Sequence, residues 1–343
     1  MPHCNVAVCE YVCSMDLIQT AREIIKHHIG PQPTWPPQQL SLALQGGGSF
    51  GAFTWGVLDR LVEERELHFD TISGASAGAV NAVLLASGLA EGGRDAAKEK
   101  LEHFWRRMSE AAAFMSLANA AHLPGMAPAG LSMLTRALSP YQFNPLDLNP
   151  MRKALAAEVD FERLRHEAPV HLMIAATRIS DGKLRIFRNE DISLEAVLAS
   201  ACLPQVHRAV EIDGELYWDG GYVANPPLVR LVHESGTSDI LVVQITPVKI
   251  DHPPTTSNEI AKRVDQITFN SSLNSDLDTL ELAAEVGAGP KIRNLRINRI
   301  AADELVENLA EKSAADLDWP FLVRLRDSGR LAADNWLRTA PGD

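Results

Sequence analysis

Residues 40–51 read LSLALQGGGSFG, an apolar run followed at once by a turn that is mostly glycine. The apolar run is typical of a buried strand, and the turn opens onto a helix that continues to about residue 66. Apolar side chains recur along one side of that helix at a spacing of about 3.6 residues, with charged side chains opposite. The order strand, glycine turn and helix therefore predicts an α/β domain in which the helix packs on a sheet.

A second unit of the same kind follows directly. A short strand leads into GASAG, residues 74–78, and then into an apolar helix that reaches about residue 90. The pentapeptide has the form G-x-S-x-G, which places a serine on a sharp turn between strand and helix with its hydroxyl projecting freely. Ser76 is therefore the candidate nucleophile, and Gly74 and Gly78 leave room for the turn.

The glycine loop, residues 46–51, precedes this turn. Successive residues without side chains can aim backbone N–H groups at one point, which is how an oxyanion is held. Gly46, Gly47 and Gly48 are thus candidates for an oxyanion hole, and Gly51 supports the turn. A dinucleotide site also fits the pattern G-x-G-x-x-G, but the acid of such sites follows the second strand, whereas Asp70 precedes it.

A serine nucleophile needs a base, and no histidine stands at an evident signature position after Ser76. What stands out instead is Asp219, followed by Gly220 and Gly221. A carboxylate in a glycine turn can approach a serine closely, and a desolvated site strengthens its pull on the hydroxyl proton. Asp-Gly turns are also common without any catalytic role, so this motif alone leaves both interpretations open.

Taken together, the glycine loop, the G-x-S-x-G turn and the late Asp-Gly-Gly resemble the patatin-like phospholipase family, and the resemblance covers residues 40–245. The segment ASACLP, residues 199–204, is similar to the small-residue segment that the family carries ahead of its Asp-Gly-Gly. Asn225 and Pro227 resemble the Asn-x-Pro that follows it. The resemblance implies a three-layer α/β/α sandwich with a mainly parallel central sheet.

The resemblance also implies a chemistry. Ser76 and Asp219 would form a dyad without histidine, and the reaction would pass through an acyl-enzyme. The N–H groups of Gly47 and Gly48 would make the oxyanion hole. Lipid acyl esters would be the substrates: phospholipids, lysophospholipids or neutral esters.

Two positions depart from the family pattern. Gln45 stands where many members have Asp, and Phe50 stands where many have Arg or Lys. The second departure removes a cation beside the glycine loop, which predicts a preference for neutral or single-chain esters if the Phe50 ring lines the mouth of the site as a substrate contact. A ring that points into the core is the alternative, and the sequence leaves both open.

The sequence predicts three regions. Residues 1–38 hold an N-terminal helix and a Pro-rich linker, residues 39–300 form the catalytic domain, and residues 301–343 form a helical extension packed on it. Within the domain, residues 111–150 mix Met and Leu with repeated Pro and Gly, which is consistent with a cap that offers a surface to acyl chains or with an excursion of the core. Residues 170–188 predict a hairpin with its turn at Asp181-Gly182.

Composition and charge argue against a nucleic-acid partner and against a membrane-spanning segment. Lys and Arg number 32 against 44 Asp and Glu, a formal charge of -12, whereas nucleic-acid binding needs a clustered excess of cations. No window holds the roughly 18 to 20 consecutive apolar residues of a membrane span, so any membrane contact should be peripheral. The start lacks the pattern of a secretory signal, so we expect a cytoplasmic protein, at most peripheral at a membrane.

We expect neither a cofactor nor a metal ion. Cys4, Cys9 and Cys13 lie close together, but no histidine stands at finger-like spacing from them. The role of these cysteines and the oligomeric state stay open.

Two other functions also stay open. A His-dependent α/β-hydrolase or acyltransferase would use His233 or His252 as the base, because these follow Asp219 in chain order. Against it, lipase-type oxyanion motifs begin with His at the position of Gln45. A non-catalytic lipid-binding protein on the same fold is the other alternative, and labelling of Ser76 by a fluorophosphonate separates it from an enzyme.

Overall fold

The computed structural model describes residues 35–122, 138–144, 147–306 and 308–339. Outside them lie the predicted N-terminal helix, Cys4, Cys9 and Cys13, and residues 123–137 and 145–146 of the predicted cap. The unit Gln38–Asp343 holds the sheet and the helices named below.

One mixed β-sheet forms the centre of this unit. Its strands are β1 (Gln39–Leu44), β2 (His68–Gly74), β3 (His171–Arg178), β4 (Leu184–Arg188), β5 (Val210–Ile212), β6 (Glu215–Asp219), β7 (Asp239–Gln244) and β8 (Arg296–Ala301). Strands β3, β2, β1, β7 and β8 lie side by side in that order and run parallel. The pairs β3–β4, β3–β6 and β5–β6 are antiparallel.

The helices lie on both sides of this sheet. They are α1 (Gly51–Leu61), α2 (Ala77–Glu91), α3 (Gly93–His122), α4 (Pro140–Phe143), α5 (Pro150–Glu158), α6 (Phe161–Glu167), α7 (Leu194–Ser200), α8 (Leu228–Glu234), α9 (Ser257–Glu285), α10 (Pro290–Arg293) and α11 (Trp319–Arg338). None of those in the described residues combines the length and apolar character that a membrane span needs.

Strand β1 shows the layering most clearly. Leu42 and Leu44 belong to a large apolar cluster with side chains of α1, α2 and α11, whereas Ala43 belongs to a second cluster with side chains of α8 and α9. Successive side chains of a strand point to opposite faces, so the two clusters are the two interiors of an α/β/α sandwich. The predicted three-layer fold with a mainly parallel sheet is confirmed.

Among the described residues, the two strand–turn–helix units and the hairpin lie where they were predicted, with differences at the ends of elements. Strands β3 and β4 form the predicted hairpin, and Gly182 in its turn has a φ of 67°. The first helix ends at Leu61 rather than near residue 66. The Arg94 side chain donates to the carbonyls of Val62 and Glu64 beyond that end, a contact with α3 that no local pattern predicts.

Helix α11 crosses α1 with the two backbones in contact. A Cβ at Gly56 would lie 1.9 Å from the Arg326 carbonyl oxygen, and a Cβ at Gly329 would lie 2.1 Å from the Phe53 carbonyl oxygen. Two glycines therefore permit the crossing. Because α1 begins where the glycine loop ends, α11 supports the element that carries that loop.

Candidate active site

Ser76 lies on a sharp turn between β2 and α2. Its φ of 53° and ψ of -126° are values that residues with a Cβ rarely adopt, so the turn is strained. The Ser76 amide donates to both the carbonyl oxygen and the hydroxyl oxygen of Ser200, each at 3.1 Å. These two contacts hold the turn, and the Ser76 residue is only 6% exposed.

The glycine positions around Ser76 leave no room for side chains. A Cβ at Gly78 would lie 2.1 Å from the Leu44 carbonyl oxygen, and one at Gly74 would lie 2.6 Å from the Gly78 carbonyl carbon. A Cβ at Gly46 would lie 2.6 Å from the Ser76 Cβ. The glycine loop therefore packs directly against the serine turn.

The pairing of the strands brings Asp219 close to the turn that carries Ser76. Strand β2 pairs with residues 171–174 of β3, and β6 pairs with residues 176–178. Strand β4 occupies the opposite edge of β3, so β2 and β6 share one edge. Asp219, the last residue of β6, thus lies just beyond the carboxyl end of β2, where the chain turns at Ser76.

The Asp219 carboxyl is completely buried. Its Oδ1 accepts a hydrogen bond from the Gly221 amide at 2.8 Å, whereas its Oδ2 has no hydrogen-bond partner among the described residues. Burial raises the pKa of Asp219 to about 7, although the Gly221 amide and the nearby Ser76 hydroxyl both act to lower it. The carboxyl therefore titrates near neutral pH, where a general base is most effective.

The segment of residues 199–204 lies between the two candidate catalytic residues and holds both. Ser200 accepts the amide of Ser76, and the carbonyl of Cys202 accepts the amide of Asp219 at 2.8 Å. Burial and the Asp219 charge raise the pKa of the Cys202 thiol to about 12. Cys202 thus stays a neutral thiol and is not a competing nucleophile.

The backbone N–H groups of the glycine loop differ in whether they already donate a hydrogen bond. Among the described residues, the N–H groups of Gly47 and Gly48 donate to no acceptor, and unused donors of this kind are what an oxyanion hole needs. The Gly46 amide, in contrast, donates to Asn225 Oδ1 at 2.7 Å. The prediction that Gly46 donates to the oxyanion is therefore wrong, because its hydrogen is already used.

Phe50 lies in the core. It is 3% exposed, and its ring packs edge-on against Phe321 of α11 with 6.4 Å between ring centroids. The prediction that Phe50 contacts the substrate at the mouth of the site is therefore corrected: its ring lies in the core, as the alternative interpretation held. Helix α11, which is far from the motif in sequence, covers this side of the glycine loop.

Gln45 is fully buried and joins three elements. Its Oε1 accepts the amides of Ile245 and Thr246 at 2.9 and 2.8 Å, and its Nε2 donates to Asn270 Oδ1 at 2.9 Å. An amide can donate and accept at once, which an ionised carboxylate cannot do. The departure from Asp therefore fits a neutral network that ties the start of the glycine loop to the end of β7 and to α9.

The histidines considered as bases lie elsewhere. His233 lines a cavity together with Thr71, in the middle of β2, and His171, at the amino end of β3. From Thr71 to the end of β2 at Gly74 the strand rises about 10 Å, so this cavity lies away from the turn at Ser76. His252 is exposed. Among the described residues, no histidine contributes to the shift in the pKa of Asp219.

The chain is similar to one known family and to several solved structures. The family model described as Patatin-like phospholipase matches residues 42–232, more than half of the chain. A search of curated protein sequences gave no match.

Among solved structures, the chain is similar to VipD from Legionella pneumophila at 16% identity and a TM-score of 0.44, covering 88% of this chain and 67% of VipD. It is also similar to the ExoU–SpcU complex of the type III secretion system of Pseudomonas aeruginosa, at 16% identity and a TM-score of 0.39. That match covers 88% of this chain and 51% of the other, so this chain spans about half the length of that neighbour.

Proposed function

This chain belongs to the patatin-like phospholipase family, and from this premise we propose that it is a serine acyl hydrolase that cleaves ester bonds of lipids. Ser76 is the nucleophile and Asp219 is its base. The observation that carries the proposal is the buried Asp219 carboxyl beside Ser76, with its pKa raised to about 7. A carboxyl with that pKa accepts a proton far more readily than an exposed one, which supports a dyad without histidine.

The first half of the reaction forms the acyl-enzyme. The Ser76 hydroxyl oxygen attacks the ester carbonyl carbon while its proton passes to Asp219. The negative charge that develops on the former carbonyl oxygen is stabilised by the N–H groups of Gly47 and Gly48. The intermediate then collapses, the bond to the alcohol oxygen breaks, and the alcohol leaves with the proton from Asp219.

The second half releases the acid. A water molecule attacks the acyl carbon of the Ser76 ester while Asp219 takes one of its protons. The same two N–H groups stabilise the second intermediate. When this intermediate collapses, the carboxylic acid leaves and the proton returns from Asp219 to the Ser76 oxygen.

The catalytic domain in this proposal is residues 39–300, with residues 301–343 as an extension packed on it and residues 111–150 as a cap. One contact of the described residues supports the cap. The Tyr141 hydroxyl accepts the amide of Ala209 at 3.3 Å, a few residues after the segment that holds Ser76 and Asp219. We expect the protein in the cytoplasm, with at most peripheral contact with its lipid substrate.

An ester panel on purified variants tests this function. Ser76→Ala and Asp219→Asn should each lower hydrolysis by several orders of magnitude without loss of folding, as removal of a nucleophile or its base does. Replacement of His233 or His252 should change the rate little. Ser87→Ala, which changes a buried serine on the helix that follows Ser76, is the matched control. Near-normal turnover by either dyad variant rejects the mechanism.

A further inference from the structure

Asn225 holds Gly46 at both of its polar backbone atoms. Its Oδ1 accepts the Gly46 N–H at 2.7 Å, and its Nδ2 donates to the Gly46 carbonyl at 3.3 Å and to the Phe269 carbonyl at 3.0 Å. Thr246 Oγ1 donates to the same Gly46 carbonyl at 3.0 Å. Asn225 is fully buried, and its own amide donates to Ser272 Oγ of α9 at 2.9 Å, which fixes its position.

These contacts set the direction of the next N–H group. The Gly46 carbonyl and the Gly47 N–H belong to one planar trans peptide group, so they point in opposite directions. Two donors, from Asn225 and Thr246, hold the carbonyl on one side. The Gly47 N–H must therefore point to the other side, where it meets no acceptor among the described residues.

We propose that Asn225, together with Thr246, is a positioning residue that aims the Gly47 N–H at the developing oxyanion. The proposal rests on the proposed function of the Ser76 site and names two further residues that serve it. In this proposal both residues act through the Gly46 peptide group. An asparagine suits this position because its amide accepts from the Gly46 N–H and donates to the Gly46 carbonyl at once.

Substitutions that remove single hydrogen bonds test this role. Thr246→Val removes one donor to the Gly46 carbonyl at nearly constant shape, whereas Thr246→Ser keeps the hydroxyl. Asn225→Asp keeps the acceptor for the Gly46 N–H but loses both donated hydrogen bonds, and Asn225→Ala loses all three.

The expected result is a fall in kcat without a change in KM, because the oxyanion exists only after attack. On a soluble short-chain ester, kcat should fall about 10-fold in Thr246→Val and about 100-fold in the Asn225 variants, the scale of losing one oxyanion donor. KM should stay within about twofold, and Thr246→Ser should retain most of kcat.

Asn189 provides a matched control. It holds the backbone in the same manner, with Oδ1 accepting the Leu172 amide at 2.7 Å and Nδ2 donating to the Val170 carbonyl at 2.9 Å, but at the amino end of β3. Asn189→Ala should lower the melting temperature and leave kcat unchanged.

Two failures are distinguishable in this experiment. If Thr246→Val and the Asn225 variants keep the kcat of Asn189→Ala while Ser76→Ala is inactive, Asn225 only stabilises the fold and the inference is overturned. If Ser76→Ala is itself active, the proposed function fails instead. Should the Asn225 variants not fold, the comparison of Thr246→Val with Thr246→Ser decides the inference alone.

Discussion

At the scale of single residues, the proposed mechanism makes the reactivity of the site depend on the protonation of Asp219. Asp219 must be ionised to take the proton of Ser76, and burial raises its pKa to about 7. Activity should therefore rise with pH through about 7 and level off above it, whereas an exposed carboxyl would already be ionised near pH 5. The profile of kcat/KM between about pH 5 and 9 measures this, and a flat profile would contradict it.

The same residue should lower the stability of the folded protein at neutral pH. The pKa of Asp219 is higher in the folded than in the unfolded state, so between about pH 4 and 7 only the folded state binds the proton. The free energy of unfolding therefore falls as pH rises through this range.

Asp219→Asn removes that cost because its side chain is neutral and still accepts the Gly221 amide. We expect the variant to be more stable than the wild type at pH 8, on the order of a few kcal/mol, and little different near pH 4. Thermal unfolding at the two pH values measures the effect, with Ser76→Ala as the control. A variant that melts below the wild type at pH 8 would be inconsistent with a buried charge at this position.

At the scale of elements, the two strand–turn–helix units could be predicted because their signals are local. An apolar run, a glycine turn and a 3.6-residue period lie within about 30 residues of each other in both units. The position of β6 could not be predicted. Strand β6 pairs with the part of the β3 edge beyond Ile174, where the pairing with β2 has ended. This pairing joins residues about 40 apart in sequence, and no pattern within either strand predicts it.

The position of Phe50 was open for the same reason. Whether its ring faced solvent or core depended on α11, which begins more than 260 residues later at Trp319 and supplies Phe321 as its partner. A residue that follows a catalytic loop in sequence need not line the site when a distant helix covers that side.

Phe50→Arg should therefore destabilise the protein rather than change its substrate preference. The guanidinium would be buried in the apolar cluster to which Phe50 belongs, at a cost of about 3 kcal/mol or more, whereas Phe50→Leu should cost about 1 kcal/mol. Urea unfolding of both variants measures the difference. An arginine variant as stable as the wild type, with raised relative activity on anionic phospholipid, would show instead that Phe50 lies at the mouth of the site.

At the scale of the whole molecule, the candidate site is assembled from segments that are distant in sequence. The glycine loop and Ser76 belong to neighbouring units, but Asn225 contacts Gly46 of the loop across 179 residues, and Asn270 contacts the preceding Gln45 across 225 residues. The candidate nucleophile, the candidate base and the glycine loop could be predicted from their motifs. The amide network that holds the loop could not, because Gln and Asn carry no local signal that distinguishes such a role from an ordinary polar position.

The central claim is that Ser76 forms a covalent intermediate with the help of Asp219 alone. Intact-protein mass spectrometry after reaction with a fluorophosphonate, followed by peptide mapping, tests it most directly. We expect a single adduct on Ser76 in the wild type, labelling slowed at least about 100-fold in Asp219→Asn, and none in Ser76→Ala. An adduct on another residue, or equal labelling of wild type and Ser76→Ala, would contradict the account.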